Sequence, residues 1–135
     1  MNDFNQAVIT EFRANNGKVG GQFANIPLLL LTTIGAKSGQ PRINPLAYTT
    51  DGDRIIILAS KAGAPTNPDW YHNLVANPTV TVEVGNERFQ AQASVAQGQE
   101  RERLYAQVLE RLPWFADYQQ KTSRQIPIII LERKK

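Results

Sequence analysis

The chain has 135 residues, 41% hydrophobic and 20% charged, which fits one ordinary globular domain with its own core. It has no cysteine and a single histidine, so disulfides, thiolate catalysis, iron–sulfur clusters and histidine-built metal sites are excluded; any redox chemistry must come from a borrowed cofactor. A net charge of +3, from 15 Lys and Arg against 12 Asp and Glu, is too mild to indicate nucleic acid, although a few converging cations would suit an anionic small molecule.

The N-terminus lacks a signal peptide's basic start, apolar stretch and cleavage site, and no run approaches the roughly 20 apolar residues that span a bilayer. The expected location is the cytoplasm. Asn2 or Asp3 can cap a first helix in which Phe4, Val8 and Phe12 recur every four residues, and Asn15-Asn16-Gly17 stops it. Gly17–Gly21 reads as flexible, so residues 1–25 are taken as a helix and flexible segment of a single domain covering 1–135. Leu28–Thr33 is a buried strand, followed by a turn over Gly35–Pro41. Ile43–Thr50 is a second strand, with an irregularity or sheet edge marked by Asn44-Pro45. Asp51-Gly52 signals a tight hairpin into the strand Arg54–Ser60, and Ala62–Thr66 is a loop.

Asn67-Pro68-Asp69 opens a short helix, with asparagine as cap and proline in the first turn; Trp70 and Leu74 form its apolar side. Thr79–Val84 and Arg88–Val95 alternate around Gly85-Asn86, the clearest hairpin in the chain. Gln97–Leu112 is amphipathic, with Leu104, Val108 and Leu112 on one stripe. Pro113 breaks it, Trp114–Thr122 makes another short helix, and Ile126–Glu132 is a last buried strand. Hairpin-linked strands predict an α+β fold: a mainly antiparallel six-stranded sheet able to close into a barrel, with helices at its ends and flank.

The segment Thr33-Ile-Gly-Ala-Lys-Ser-Gly-Gln-Pro-Arg42 carries the strongest chemical signal. Such a turn exposes backbone N–H groups, while Lys37 and Arg42 add charge and Ser38 a hydroxyl, a set that suits phosphate or carboxylate. The spacing is wrong for a P-loop, and no parallel βαβ pattern follows. The competing reading is a solvated hairpin loop, since most surface charges only meet water. Ser60-Lys61 ends a strand, where Lys61 can add a cation and Ser60 can face a ring or simply cap. Trp70 and Tyr71 can cover a planar ligand, with core packing as the default. Trp114, Phe115 and Tyr118 form an aromatic group that is a lid if exposed and core if buried, and Tyr118 can donate a proton. His72 is isolated, and a surface role is its default. No nucleophile–base pair, carboxylate dyad or metal cluster stands out.

Three stretches, LLLLTTIGAKSGQPRINPL, DGDRIIILASKAGAPTNPDWYHNLVANPTVTVEV and ADYQQKTSRQIPIIILER, resemble the deazaflavin-dependent nitroreductase family, part of the wider flavin and deazaflavin oxidoreductases with a split β-barrel. The resemblance runs from about Leu28 to Arg133 and implies coenzyme F-420, whose tail carries a phosphate and glutamate carboxylates. It assigns Lys37, Ser38, Gly39 and Arg42 to the tail-binding loop, with Lys61 as a cation on the neighbouring strand end. It places Asn44, Pro45, Leu46, Ala59 and Ser60 along the deazaflavin ring, and Trp70 and Asn73 beside the coenzyme. Trp114, Phe115 and Tyr118 fall on the acceptor side.

The chain departs from that pattern at Ala36, where a second basic residue is common, and at Phe115, where a lid tyrosine is replaced; the latter argues against nitroimidazole reduction. The implied activity is hydride transfer to a small acceptor such as a quinone, enone or nitroaromatic, with Ser60 and Tyr118 as acceptor-side donors. FMN on the same barrel is the alternative cofactor, and a non-catalytic F-420 carrier the alternative function. The expected partners are a small-molecule acceptor and no nucleic acid. Peripheral membrane contact through the first helix is allowed, and the assembly is a monomer or homodimer.

Overall fold

Tyr48 alone joins the two edges of a seven-stranded antiparallel sheet. The computed structural model describes residues 3–21 and 26–134. Its strands are β1 (Leu28–Ile34), β2 (Pro41–Ala47), β3 (Thr49–Asp51), β4 (Arg54–Leu58), β5 (Thr79–Val84), β6 (Glu87–Val95) and β7 (Ile128–Arg133). They lie in the order β2-β1-β5-β6-β7-β4-β3, and every pairing is antiparallel. Laid flat, the outer strands of such a sheet would stand roughly 29 Å apart at about 4.8 Å per neighbour. The step from Ala47 to Thr49 spans at most about 7 Å. The sheet is therefore curled into a half-barrel that brings β2 and β3 together.

This corrects the expectation of six strands. The stretch 43–50 is not one strand, because the chain crosses from one sheet edge to the other at Tyr48, whose N–H donates to the Pro27 carbonyl at 3.1 Å. The interruption is thus at Tyr48, while Asn44-Pro45 marks the sheet edge, as one of its two readings expected: β2 stays in register with β1 from Leu28↔Ala47 to Ile34↔Pro41, Leu30↔Pro45 included. Proline is tolerated because β2 is an edge strand, where alternate N–H groups have no sheet partner. The hairpins at Asp51-Gly52 and Gly85-Asn86 form as expected, with Gly52 and Gly85 at positive φ.

The unbroken apolar runs are covered on both faces. Leu29 and Leu31 point into the curl with Ile57, Val80, Val82, Ile129 and Leu131, where Trp70 and Leu74 of helix α2 (Asp69–Ala76) join them. Leu28 and Leu30 point the other way, onto Val8, Ile9 and Phe12 of helix α1 (Asp3–Ala14). Ile56, Leu58, Ile128 and Ile130 pack under Leu104 and Val108 of helix α3 (Gly98–Arg111) and Phe115 of helix α4 (Phe115–Gln120). Alternation disappears from a strand when both of its faces are buried. Each fully buried Leu or Ile contributes about 1.5–3 kcal/mol relative to exposure.

Helix α1 is tied down by Arg13, whose guanidinium meets both carboxylate oxygens of Glu83 at 2.9 and 3.1 Å. Asn16 and Gly17 turn the chain at φ 55° and 91°. A side chain on Gly17 would meet the Gly85 Cα at 2.6 Å, so this turn packs on the β5–β6 hairpin. Val19 is buried as well, so the start of the Gly17–Gly21 stretch is packed; residues 22–25, and the candidate cap Asn2, lie outside the described residues. Val8, Ile9 and Phe12 of α1 are covered by the sheet. No helix among the described residues is long and apolar enough to cross a membrane.

Candidate functional site

A groove of about 1380 Å³ runs along β2 between the loop after β1 and the α4 aromatics. Its first wall is the loop 35–40, which folds on itself. Gly35 N–H donates to the Gln40 carbonyl at 2.8 Å, Gly39 N–H to the Gly35 carbonyl at 3.0 Å, and Gln40 N–H to Ser38 Oγ at 3.1 Å. Gly39 at φ 70° makes the reversal, a conformation that L side chains rarely adopt. The loop is held from beneath by Asn73 of α2. The Asn73 Oδ1 accepts from the Ala36 N–H at 2.9 Å, and its Nδ2 donates to Thr33 Oγ1 at 3.1 Å.

Lys37, Ser38 and Arg42 are exposed on this wall. Lys61 stands at the end of the floor, its Nζ 3.4 Å from Thr66 Oγ1. Elsewhere, Arg13, Arg54, Arg103 and Arg133 are engaged by carboxylates. Lys37, Arg42 and Lys61 form no ion pair among the described residues, so their charge is available to an anion. Asp69 and His72 also line the groove.

The floor is half-buried Asn44, Pro45, Leu46 and Ala47, with Leu58 and Ser60 beside them. The far wall is Trp114, Phe115 and Tyr118. Phe115 stacks on Trp114 with ring centroids 5.6 Å apart and meets Tyr118 edge-on at 5.6 Å. Lys121 Nζ lies 5.7 Å from the centre of the Tyr118 ring.

The structure thus gathers Lys37, Ser38, Arg42, Asn44, Pro45, Leu46, Ser60, Lys61, Trp114 and Tyr118 around one space. Five expected residues are buried or shape the site from behind. Gly39 shapes the loop without lining the groove, and Ala59 is fully buried. Trp70 is a core residue of the curl that shows only an edge. Asn73 lines the groove but is buried with both ends of its carboxamide engaged, so it supports the loop. Phe115 is likewise largely core, packed with Ile56 and Leu104.

Two residues were missed or misread. Asn67 does not cap α2: the residue preceding the helix is Pro68, and Asn67 Oδ1 accepts instead from Arg124 at 2.6 Å. Arg124 donates to four oxygens around Ser60 and Lys61. It lies within the motif ADYQQKTSRQIPIIILER, but nothing in the spacing of that motif distinguishes it from other surface arginines.

The chain matches a family model described as F420H(2)-dependent quinone reductase over residues 5–133. An F420H(2)-dependent quinone reductase of Mycobacterium tuberculosis (strain ATCC 25618 / H37Rv) is 43% identical over 127 residues, covering 91% of this chain and 85% of that protein. A solved F420-H2 dependent reductase, FDR-A, superposes with a TM-score of 0.72 at 42% identity, covering 78% of this chain and 94% of its own. A second solved structure, described as a domain-swapped dimer, superposes with a TM-score of 0.74 at 38% identity, covering 96% of this chain and 98% of its own.

Proposed function

This chain belongs to the F420H(2)-dependent quinone reductase family, and from that premise we propose how its groove serves an oxidoreductase that uses reduced coenzyme F-420. Lys37, Ser38 and Arg42 hold the anionic tail from the loop wall, and Lys61, on the turn that rests against α4, adds a further cation to the groove. Asn44, Pro45, Leu46 and Ser60 lie along the ring, and Trp114 and Tyr118 border the acceptor. The observation that carries this reading is one groove that combines three cations without carboxylate partners among the described residues with a half-apolar floor. An elongated ligand with an anionic tail and a planar head fits that combination.

The bound deazaflavin would supply a hydride donor, which no side chain of this cysteine-free chain provides. The residues supply orientation. Asn73 keeps the loop's cations in place from below, and the Trp114–Phe115 pair excludes water from the acceptor side. The hydroxyls of Ser60 and Tyr118, which line the groove, would donate to oxygen charge that develops on a quinone. Phe115 offers no hydroxyl and is anchored in the core, which favours quinones over nitroimidazoles as acceptors.

The FMN alternative has no support from the family match or from these relatives, which are dependent on the reduced deazaflavin. Closure of the sheet through Tyr48 supports reading the half-barrel as a split β-barrel. The domain-swapped neighbour supports a homodimer, and dependence on a diffusible reduced coenzyme supports a cytoplasmic location. The test is a titration of the purified protein with F-420 and with FMN, followed by turnover of menadione with the reduced deazaflavin. Saturable F-420 binding and multiple turnovers are expected. A preference for FMN, or binding without turnover, would overturn the reading.

A further inference from the structure

Arg124 has no acidic partner among the described residues, yet its guanidinium makes four hydrogen bonds. Nε donates to the Ala64 carbonyl at 2.9 Å, Nη1 to the Ala59 carbonyl at 3.2 Å and to Asn67 Oδ1 at 2.6 Å, and Nη2 to the Ser60 carbonyl at 2.8 Å. All four acceptors are neutral oxygens of the segment between β4 and α2, which carries Ser60 and Lys61. Helix α4 grips Arg124 from the other side. Gln119 Nε2 donates to the Arg124 carbonyl at 2.7 Å, while Gln119 Oε1 accepts from the Ile126 N–H at 3.0 Å.

The two segments also touch directly. A Cβ on Gly63 would lie 2.8 Å from Lys121 Cβ and 2.9 Å from the Tyr118 carbonyl oxygen, so the turn at Lys61–Gly63 rests on α4. Lys61 itself sits at φ 47°, a left-handed conformation that a non-glycine residue keeps only when its surroundings impose it.

We propose that Arg124 is the positioning residue that locks the Lys61 turn to helix α4, so that the coenzyme-side cation and the acceptor-side Tyr118 hydroxyl keep one relative geometry. The inference rests on the coenzyme reading above. Only a planar fork of donors reaches oxygens spread over three directions; a lysine ammonium, a point charge on a flexible stem, cannot. Burial lowers the Arg124 pKa, but an arginine stays charged, and with no carboxylate to neutralise it the charge adds to that of Lys61.

The test compares wild type with Arg124→Lys, Arg124→Ala and Asn67→Ala. It measures the Kd for oxidised F-420, the KM values for reduced F-420 and for menadione, and the melting temperature. Arg124→Lys is expected to remain folded while its coenzyme Kd and KM rise about tenfold, the menadione KM staying unchanged. Methylguanidinium is expected to restore part of the coenzyme affinity of Arg124→Ala. Asn67→Ala, which removes one bond of four, is expected to raise the Kd about threefold and carries the test alone should the arginine variants not fold. Unchanged coenzyme affinity in folded Arg124→Lys overturns the proposal. So does a fall in kcat that tracks loss of folded protein with both KM values constant. Failure of the wild type itself to bind F-420 is recognisable before any variant is made, and it removes the coenzyme reading together with this inference.

Discussion

The carboxamide oxygen of Asn73 accepts the backbone N–H of Ala36 at 2.9 Å, so a buried residue of helix α2 holds the loop that carries Lys37. With Nδ2 on Thr33, the same side chain fixes both the end of strand β1 and the start of the turn. Asn73→Ala takes the partner from the part-buried Ala36 N–H and from the fully buried Thr33 hydroxyl, a loss of about 1–3 kcal/mol for each group left unsatisfied. A lower melting temperature and weaker F-420 binding are expected, with the menadione KM unchanged. Wild-type coenzyme affinity in this variant would show that the loop is held by its own hydrogen bonds.

Removing the rim cations isolates the electrostatic part of binding. Lys37→Ala with Arg42→Ala is expected to raise the F-420 Kd by roughly 30-fold or more, about 1 kcal/mol per charge-assisted contact. Both side chains are exposed, so stability is expected to stay near wild type. The wild-type Kd rises with salt because exposed charges are screened, and the double variant is expected to lose much of that dependence. Titrations at two ionic strengths check both points.

Tyr118 separates the two ends of the groove. Tyr118→Phe keeps the ring on Phe115 and under Lys121 but removes the hydroxyl. If that hydroxyl meets developing charge on the acceptor, kcat for menadione falls by about tenfold or more, with the F-420 Kd unchanged. Equal turnover by the variant would pass the role to Ser60 or to backbone N–H groups.

Asp51, which does not line the groove, is expected to contribute to acid stability. Hydrogen bonds from Arg103 and then Arg54 hold its carboxyl well below the usual range, tying the β3–β4 hairpin to α3. Its folded pKa is depressed, so the stabilisation is fully present above the unfolded value of about 3.9 and is lost as pH falls toward the folded one. Asp51→Asn is expected to melt below wild type at pH 7, and the gap is expected to narrow below about pH 4. Melting curves from pH 2 to pH 7 test this, and a constant gap would count against the ion-pair account.

Much of the fold follows from short-range pattern. The hairpins at Asp51-Gly52 and Gly85-Asn86 are readable from two residues each, because few dipeptides tolerate the required angles. The apolar runs at 28–31 and 128–131 announce buried strands. The cationic loop from Lys37 to Arg42 is equally visible, since its residues are neighbours in the chain and face one groove. The break at Tyr48 is not: a threonine- and tyrosine-rich stretch favours strand on either side, and only closure of the sheet requires the chain to change edges there.

The sequence by itself determined the class of fold, most strand positions, the absence of thiol chemistry, and the loop that offers charge to an anion. Tertiary structure alone decided what holds that loop and its counterpart in place. Asn73 reaches Ala36 across 37 positions, and Arg124 reaches Ala59 across 65. Local periodicity reports backbone preference and the direction of burial. A side chain's hydrogen-bond partners depend on which distant segments the curled sheet brings within about 3 Å, and nothing in the spacing of neighbouring residues encodes that.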